Sequence, residues 1–335
     1  MKLFPTPNTL LLCKAKILEE KVMIKLCIVI PCYNECEVLE ETAKRLLQKT
    51  DCLIKDKLIS DDSRVIFVDD GSKDNTWEII SKLHNENKLF SGCKLSRNRG
   101  HQNALLAGLY LAKENFDAVI SMDADLQDDI NAIDDFIKEY NNGYEVVYGV
   151  RNKRKKDSFF KRVTAEGFYK FMSFMGAEVV FNHADYRLLG SKALNALFEF
   201  KEVNLFLRGL VPLVGFKSTK VYYERNERFA GESKYPLKKM LSFAFDGISS
   251  LSIKPIKMII HLGIICFLIS LAIIVYALVS YILGNTVSGW TSIMASIWGL
   301  GGLQLLAIGV IGEYVGKVFL ETKRRPRFII ETYLN

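Results

Sequence analysis

The chain has 335 residues, of which 49% are hydrophobic, so it is long enough for one sizeable soluble domain together with a more apolar region. Its net charge is +7, and two dense basic runs stand out, RNKRKKDSFFKR at Arg151–Arg162 and KRRPR at Lys323–Arg327. Neither run carries an aromatic recognition pattern, so we expect no nucleic acid partner. Anionic lipid headgroups and substrate phosphates are the favoured binding partners of these runs. Seven cysteines without a C-x-x-C pair indicate reduced thiols and no disulfide framework.

The first half of the chain alternates between strand and helix patterns. Residues 1–22 have too short an apolar core for a signal peptide, and we interpret them as an N-terminal extension. After them, the strand-like runs are KLCIVIP, RVIFVDD, GCKLS and DAVISMD, separated by helical patterns. This alternation predicts an α/β domain with a mostly parallel sheet and crossover helices. Each run leads into a polar cluster, in order PCYNE, DDGSKD, SRNRGHQ and DADLQD, and ligands of such folds bind at the carboxyl ends of the strands.

The last of these clusters lies in SMDADLQDD, which places four aspartates in nine positions. Asp123 and Asp125 are two positions apart, so in an extended segment both side chains point to the same face and can approach one metal ion. Gln127 continues that face with a neutral oxygen, and oxygen ligands without Cys or His suit Mg²⁺ or Mn²⁺. The alternative is a solvated acidic turn that caps the next helix, and we assign that capping role to Asp128 and Asp129.

Two long apolar runs occupy the last third of the chain, Met258–Leu283 and Trp290–Phe319. Each exceeds the roughly 20 residues needed to cross a hydrocarbon core of about 30 Å, which predicts two transmembrane helices. Lys254 and Lys257 precede the first run, the second basic run follows the other, and the connection GNTVSG has no charge. The positive-inside rule therefore places the soluble domain and both termini in the cytoplasm. The alternative is a pair of buried core helices in a soluble protein.

Several motifs occur in a fixed order along the chain: IVIPCYNE, IFVDDGSKDNT, LSRNRGHQNALLAGL, MDADLQD, ADYRLL, ERFAGESKYPLKKM and IGEYVGKVFLETKRRPRFII. Together they resemble family 2 glycosyltransferases of the polyprenyl-phosphate type, most closely the bactoprenol glucosyltransferases and more distantly dolichol-phosphate mannose synthase. The resemblance covers nearly everything from Met23 to the C-terminus.

The resemblance implies a domain organisation. A GT-A glycosyltransferase domain, which is Rossmann-like with a mostly parallel sheet, occupies residues 23–228. An acceptor loop with amphipathic juxtamembrane helices follows at 229–257, then transmembrane helices at 258–283 and 290–319 and a cytoplasmic basic tail at 320–335. The resemblance places the protein in the inner (cytoplasmic) membrane and suggests a homotetramer.

The implied reaction is the metal-dependent, inverting transfer of a hexose from a UDP-sugar to undecaprenyl phosphate at the cytoplasmic membrane face. Glucose is the favoured sugar, and a single displacement gives a β-linked lipid phosphosugar. A divalent ion, Mg²⁺ or Mn²⁺, stabilises the charge of the leaving diphosphate as a Lewis acid. Two alternatives remain: a processive polysaccharide synthase, although the chain has no Arg-Trp pair of the Q-x-x-R-W motif, and a catalytically silent membrane scaffold that binds nucleotide sugar.

Site residues follow from the matching motifs. The metal ligands are Asp123, Asp125 and Gln127, and Asp125 also counts as catalytic. The nucleotide-binding residues are Pro31, Tyr33, Glu35, Asp69, Asp70, Arg97 and Asp123. The acceptor phosphate is expected to bind Arg151, Arg162, Arg228, Ser233 and Lys234.

Asp185 occupies the position of the general base in this family. A lipid phosphate monoester has a second pKa of about 6, so it is largely a dianion at neutral pH and needs little help from a base. Asp185 is therefore also a candidate for orienting the acceptor or holding Arg187. His101 is interpreted as a residue at a helix N-terminus, with no partner that the sequence identifies.

Overall fold

The computed structural model describes residues 23–151, 183–202, 206–224, 254–283 and 289–335. Its strands are β1 (Leu26–Cys32), β2 (Arg64–Asp69), β3 (Phe90–Leu95), β4 (Ala118–Ser121), β5 (Val146–Arg151), β6 (His183–Gly190), β7 (Ser218–Tyr223) and β8 (Ile330–Leu334). Its helices are α1 (Leu39–Lys55), α2 (Thr76–Glu86), α3 (His101–Ala112), α4 (Ala132–Asn141), α5 (Ser191–Glu199), α6 (Leu207–Leu213), α7 (Lys254–Ile282) and α8 (Trp290–Lys323).

Some of the predictions lie outside the described residues. They are the N-terminal extension at 1–22, the part of the amphipathic segment at 229–253, and four acceptor-phosphate residues, Arg162, Arg228, Ser233 and Lys234.

The described strands form one sheet in the order β7-β5-β6-β4-β1-β2-β3-β8. Strands β1 to β5 and β7 run in one direction, and β6 and β8 run in the opposite direction. The prediction of an α/β domain with a mostly parallel sheet is therefore confirmed. Strand β1 is buried along its whole length, which explains its unbroken apolar sequence, because a strand covered on both faces needs no polar alternation.

Helices cover both faces of this sheet. The core on one face includes Leu39 of α1, Ile80 of α2 and Phe136 of α4. The core on the other face includes Leu105 of α3 and Leu194 of α5. The result is a three-layer domain. The loops that follow the carboxyl ends of the parallel strands lie along one side of it.

The carboxyl ends of the central strands lie side by side. In the parallel ladders, Cys32 at the end of β1 pairs with Asp69 of β2, and Asp69 pairs with Lys94 of β3. On the other side of β1, Val29 pairs with Ser121, the last residue of β4. The polar clusters that follow these strands are thus brought to one edge of the sheet, as the sequence predicts.

A buried group of three polar side chains ties the loop after β4 to the ends of β5 and β7. Oδ1 of Asp128 accepts a hydrogen bond from the Tyr223 hydroxyl at 2.5 Å and lies 3.5 Å from Nη2 of Arg151. Nε of Arg151 donates to the same hydroxyl oxygen at 3.3 Å. The predicted helix-capping role is wrong for Asp128, because its buried carboxylate takes its donors from two strands instead. Asp129 lies three residues before α4, and its Oδ1 accepts from the N–H of the N-cap residue, Asn131, at 2.9 Å, so a capping hydrogen bond from Asp129 to the helix itself is not observed.

The C-terminal segment returns to the sheet, which the sequence analysis did not predict. Strand β8 pairs antiparallel with β3, in the region assigned to a basic tail. Just before it, the Ile329 carbonyl accepts a hydrogen bond from Ser96 N at 3.0 Å, and Nη2 of Arg327 donates to the Phe200 carbonyl at 2.6 Å. The end of α8 is thereby fastened to the domain beside the loop that follows β3.

Helices α7 and α8 occupy the two predicted membrane segments. Within the described residues, one stretch meets the length and composition required of a membrane span, Gly299–Lys323 with 25 residues. The described large apolar side chains of both helices are mainly exposed, including Ile264, Leu268 and Leu305. A helix at each predicted place is therefore confirmed, whereas the crossing of a membrane by both helices stays a prediction.

Replacing Tyr223 by Phe is expected to destabilise the domain, because it removes the hydrogen bond from the Tyr223 hydroxyl to the buried Asp128 carboxylate. The expected loss is about 1–3 kcal/mol in the free energy of unfolding, measured by thermal or denaturant unfolding of the purified protein. Tyr222→Phe is the matched control, since Tyr222 is the neighbouring residue and 61% exposed. Equal stability of the two variants would contradict the assigned role of the Asp128 carboxylate.

Candidate active site

The loops after β1 and β2 are fastened to each other. Asn34 N donates to Ser72 Oγ at 3.0 Å, and Lys73 N donates to Asn34 Oδ1 at 2.9 Å. Glu35 N donates to Thr76 Oγ1 at 3.0 Å. Asn34 adopts a left-handed conformation with φ of 53°, which Asn tolerates better than most residues. These contacts hold the PCYNE segment at the carboxyl edge of the sheet.

Two predicted nucleotide residues lie on either side of Cys32, the last residue of β1. Pro31 is buried within β1, and Tyr33, just beyond the strand, keeps 38% of its surface exposed. A half-exposed aromatic ring at the sheet edge has the shape that a nucleotide base needs for stacking. Contact of these residues with a nucleotide stays a prediction.

Asp69 ends β2 as a buried carboxylate. Its Oδ1 accepts a hydrogen bond from Ser72 N at 3.0 Å. Its Oδ2 is buried and has no hydrogen-bond partner among the described residues. Burial raises the pKa of Asp69. A buried acceptor without a donor is costly, so this oxygen is suited to a donor supplied by a ligand.

Asp70 has a different environment from its neighbour. Oδ1 accepts from Arg99 N at 2.7 Å, and Oδ2 accepts from Gly100 N at 2.9 Å. The side chain therefore fixes the loop between β3 and α3, which presents the exposed Arg97. In this structure Asp70 positions that loop, and its predicted contact with nucleotide remains untested.

The acidic loop after β4 does not have the predicted backbone. The strand ends at Ser121, and Asp125 lies in a turn, so the argument that Asp123 and Asp125 share a face of an extended segment is wrong. Leu126 has a φ of 58°, in the left-handed region that bulky residues rarely adopt. Its side chain is buried, which shows that packing holds the turn. Oδ1 of Asp125 accepts from Gln127 N at 3.2 Å.

Negative charge is concentrated around this loop. Partial burial and the neighbouring carboxylates of Asp185 and Asp125 raise the pKa of Asp123, while His101 opposes this shift. Burial, with the charge of Asp123, raises the pKa of Asp128 to about 6. Crowded carboxylates of this kind are stabilised by a nearby cation.

A divalent ion fits the donors at this place in chemical type. Asp123 keeps 36% of its side chain exposed, and Gln127, whose side chain carries a neutral oxygen, is joined to Asp125 through its backbone N–H. Among the described residues, no group of three or more His, Cys, Asp or Glu side chains lies close enough to hold a metal ion. Two carboxylates and an amide leave positions for substrate oxygens and water, as Mg²⁺ usually requires.

Asp185 lies on β6 beside two arginines. Nη2 of Arg208 donates to Oδ2 at 2.9 Å, and Nη2 of Arg187 donates to Oδ1. Burial alone would raise the pKa of Asp185, but the guanidinium groups of Arg208 and Arg187 hold it well below its usual range. A carboxylate with so low a pKa is a weak base, so the geometry favours the orienting role among those considered. The predicted contact between Asp185 and Arg187 is present.

His101 begins α3, as predicted, and the structure gives it partners that the sequence did not identify. Its Nε2 is 3.5 Å from Oδ1 of Asp123 and 4.0 Å from Oδ2 of Asp185. The imidazole therefore bridges the acidic loop and β6. The sequence analysis did not predict Arg208 as a site residue. The one feature that could have indicated it is its position as the single charged residue in the apolar run LFLRGLVPL.

Arg151 is the one predicted acceptor-phosphate residue within the described residues. It ends β5 beside Asp128 and Tyr223, and its side chain is mostly buried. The charge of Asp123 also acts on it, which puts Arg151 within electrostatic reach of the acidic loop. Its contact with an acceptor remains a prediction.

The comparisons with known proteins identify the family. The family model described as "Glycosyl transferase family 2" matches residues 27–198. "Uncharacterized glycosyltransferase YkoT" of Bacillus subtilis (strain 168) is 54% identical over 91% of this chain and 91% of its own length. "Prophage bactoprenol glucosyl transferase homolog" of Escherichia coli (strain K12) is 36% identical over 92% of this chain and 99% of its own length.

A structural likeness is much weaker. The match to the crystal structure of glucosyl-3-phosphoglycerate synthase from Mycobacterium tuberculosis covers 75% of this chain and 84% of that chain, with 15% identity and a TM-score of 0.42. Because the family model and both relatives match this chain, the chain belongs to glycosyl transferase family 2.

Proposed function

We propose that the protein transfers a hexose, with glucose favoured, from a UDP-sugar to a polyprenyl phosphate at the cytoplasmic face of the membrane. The observation that carries this proposal is the convergence of Asp69, Asp123 and Asp125 on the carboxyl edge of the sheet. Relatives named bactoprenol glucosyl transferase, from Escherichia coli and from Shigella phage SfX, match 92% of the chain and support the lipid acceptor. Family membership and the mostly parallel sheet agree with the GT-A fold.

The donor nucleotide is proposed to lie over the ends of β1, β2 and β3. Oδ2 of Asp69 is available to accept from a base N–H or a ribose hydroxyl, since it is buried without a donor among the described residues. Tyr33 and Glu35 line the same edge, and Arg97 follows β3 on the loop that Asp70 fixes. This arrangement would hold the nucleotide with its diphosphate directed towards the acidic loop.

Asp123, Asp125 and Gln127 are proposed to hold Mg²⁺ or Mn²⁺ together with the donor diphosphate. When bound, the divalent ion would supply Lewis-acid stabilisation of the leaving diphosphate. The left-handed turn at Leu126 and the Asp128 group hold this loop to the strands, so its oxygens are positioned before substrate binds. Preorganised charge of this kind is among the largest contributions to catalysis.

The acceptor phosphate is proposed to attack the sugar directly. A lipid phosphate monoester is mostly a dianion at neutral pH, so the weak basicity of Asp185 is no obstacle, and Asp185 orients neighbouring groups. A single displacement would invert the anomeric centre and give a β-linked product. Arg151, with Arg162, Arg228, Ser233 and Lys234 outside the described residues, would offset the charge of the two anions.

The membrane arrangement is part of the proposal. Helices α7 and α8 would both cross the inner membrane, with the catalytic domain and both termini cytoplasmic and the basic residues at 323–327 at the headgroup level. The attachment of the C-terminal segment to β3 and Phe200 would hold the domain against the membrane face. A homotetramer remains an expectation from the family resemblance.

The proposal is tested with a panel of labelled UDP-sugars offered to membranes that contain the protein, with and without added undecaprenyl phosphate. We expect lipid-dependent consumption of one sugar, UDP-glucose first, and a product that partitions into organic solvent. A water-insoluble or long polymer would indicate a polysaccharide synthase instead. Nucleotide binding without turnover under every condition would indicate a scaffold, and either result would contradict the proposal.

Asp125→Asn is expected to lower the transfer rate at least about a hundredfold, because it removes a proposed ligand of the divalent ion that would stabilise the charge of the leaving diphosphate. The rate is measured with purified protein, undecaprenyl phosphate and Mn²⁺. Asp135→Asn is the matched control, since Asp135 is an exposed aspartate on α4 outside the proposed site, and it should retain the parent rate. Undiminished transfer by Asp125→Asn would refute the metal assignment.

A further inference from the structure

Two arginines contact the Asp185 carboxylate, so two positive charges lie beside one negative charge. Arg208 approaches it with two nitrogens, Nε at 3.2 Å from Oδ1 and Nη2 at 2.9 Å from Oδ2. Arg187 donates from Nη2 to Oδ1. One guanidinium neutralises one carboxylate, so the three side chains together carry a net charge of +1.

The three side chains differ in exposure, and this decides where the excess charge acts. Arg187 is 2% exposed and Asp185 is 15% exposed, whereas Arg208 is 42% exposed. Arg208 is therefore the member of this group that solvent and a substrate can reach.

The backbone before Arg208 is fixed in place. Leu207 N donates to Oε1 of Gln102, in the first turn of α3, at 2.9 Å. The Leu207 carbonyl accepts from Nη1 of the buried Arg187 at 3.5 Å. The N-terminus of α6 is thus attached to α3 and β6, and Arg208 is held by its side chain and by the preceding peptide.

Arg208 is connected to the acidic loop through Asp185 and His101. The Asp185 carboxylate that it contacts is 4.0 Å from Nε2 of His101, and the same nitrogen is 3.5 Å from Oδ1 of Asp123. A single imidazole nitrogen therefore faces both the Asp185 carboxylate and a proposed metal ligand. An anion bound at the acidic loop through a cation would lie next to the exposed guanidinium.

We infer that Arg208 is a phosphate-binding residue of this active site, held by Asp185 for contact with a substrate phosphate. The inference rests on the proposed function, which supplies two phosphate groups: the diphosphate of the donor and the monoester of the acceptor. An arginine fixed by a carboxylate is well suited to either, because its planar donors match phosphate oxygens and little side-chain entropy is lost on binding.

The test compares Arg208→Gln and Arg208→Lys with Arg45→Gln in the purified full-length protein. Arg45 is the matched control, because it is 43% exposed and also bonded to a carboxylate, Glu41, on α1. Binding of UDP with Mn²⁺ and binding of farnesyl phosphate are measured by calorimetry at several salt concentrations. Kinetic constants for sugar transfer and the melting temperature are measured in parallel.

We expect Arg208→Gln to weaken binding of at least one ligand by about tenfold or more, the effect of losing a charge-assisted hydrogen bond. Arg208→Lys should recover part of the affinity. The salt dependence of binding should become shallower in Arg208→Gln, which a purely structural role would not produce. A loss confined to UDP would assign Arg208 to the donor diphosphate, and a loss confined to farnesyl phosphate would assign it to the acceptor.

Equal affinity of Arg208→Gln and Arg45→Gln for both ligands would overturn the inference, as would a loss that follows the melting temperature with an unchanged salt dependence. The proposed function fails separately, if the parent protein shows no lipid-dependent transfer. In that case the UDP titration still decides whether Arg208 contacts phosphate. A parent that binds neither ligand would overturn both.

Discussion

Several carboxylates converge where the parallel strands end, and the remainder of the site is arranged around their mutual repulsion. Asp123 and Asp125 follow β4, Asp69 ends β2, and Asp185 approaches from β6. The charge of Asp185 is offset within the chain by two arginines, and that of Asp128 by Arg151 and a tyrosine hydroxyl. At Asp123, burial and the neighbouring carboxylates of Asp185 and Asp125 raise the pKa, against the opposing effect of His101. A cation that arrives with an anionic substrate, as proposed, would relieve this repulsion.

The parts of this arrangement that depend on local pattern could be predicted from the sequence. Buried strands such as Leu26–Cys32 have unbroken apolar sequences, and the carboxyl ends of parallel strands must lie at one edge. From that pattern alone, Asp69, Arg97 and Asp123 are predicted to lie near one another at this edge of the sheet. The family resemblance added roles to these positions, and the fold agrees with their placement.

The parts that depend on contacts between distant segments could not be predicted. Asp69 and Asp70 are adjacent and identical in type. Asp69 keeps a buried oxygen that has no donor in the part of the chain that the structure describes, whereas Asp70 fixes a loop 29 residues away. The sequence predicts Asp128 to be a helix cap, because the partner that it has in the fold, Tyr223, lies 95 residues later in the chain. The turn at Leu126 is held by tertiary packing against the preference of leucine, and Arg208 is meaningful only when β6 lies next to α6. The strand at Ile330–Leu334 is short and follows a basic run that suggested a solvated tail.

The proposed reaction depends most on a divalent ion that would join these carboxylates to a donor diphosphate. It is tested most directly by measuring sugar transfer to undecaprenyl phosphate after treatment with excess chelator, and again after Mg²⁺ or Mn²⁺ is restored. We predict that transfer stops in the chelator and returns with the metal, while the melting temperature of the domain stays nearly constant. Transfer at the full rate in excess chelator would contradict the account.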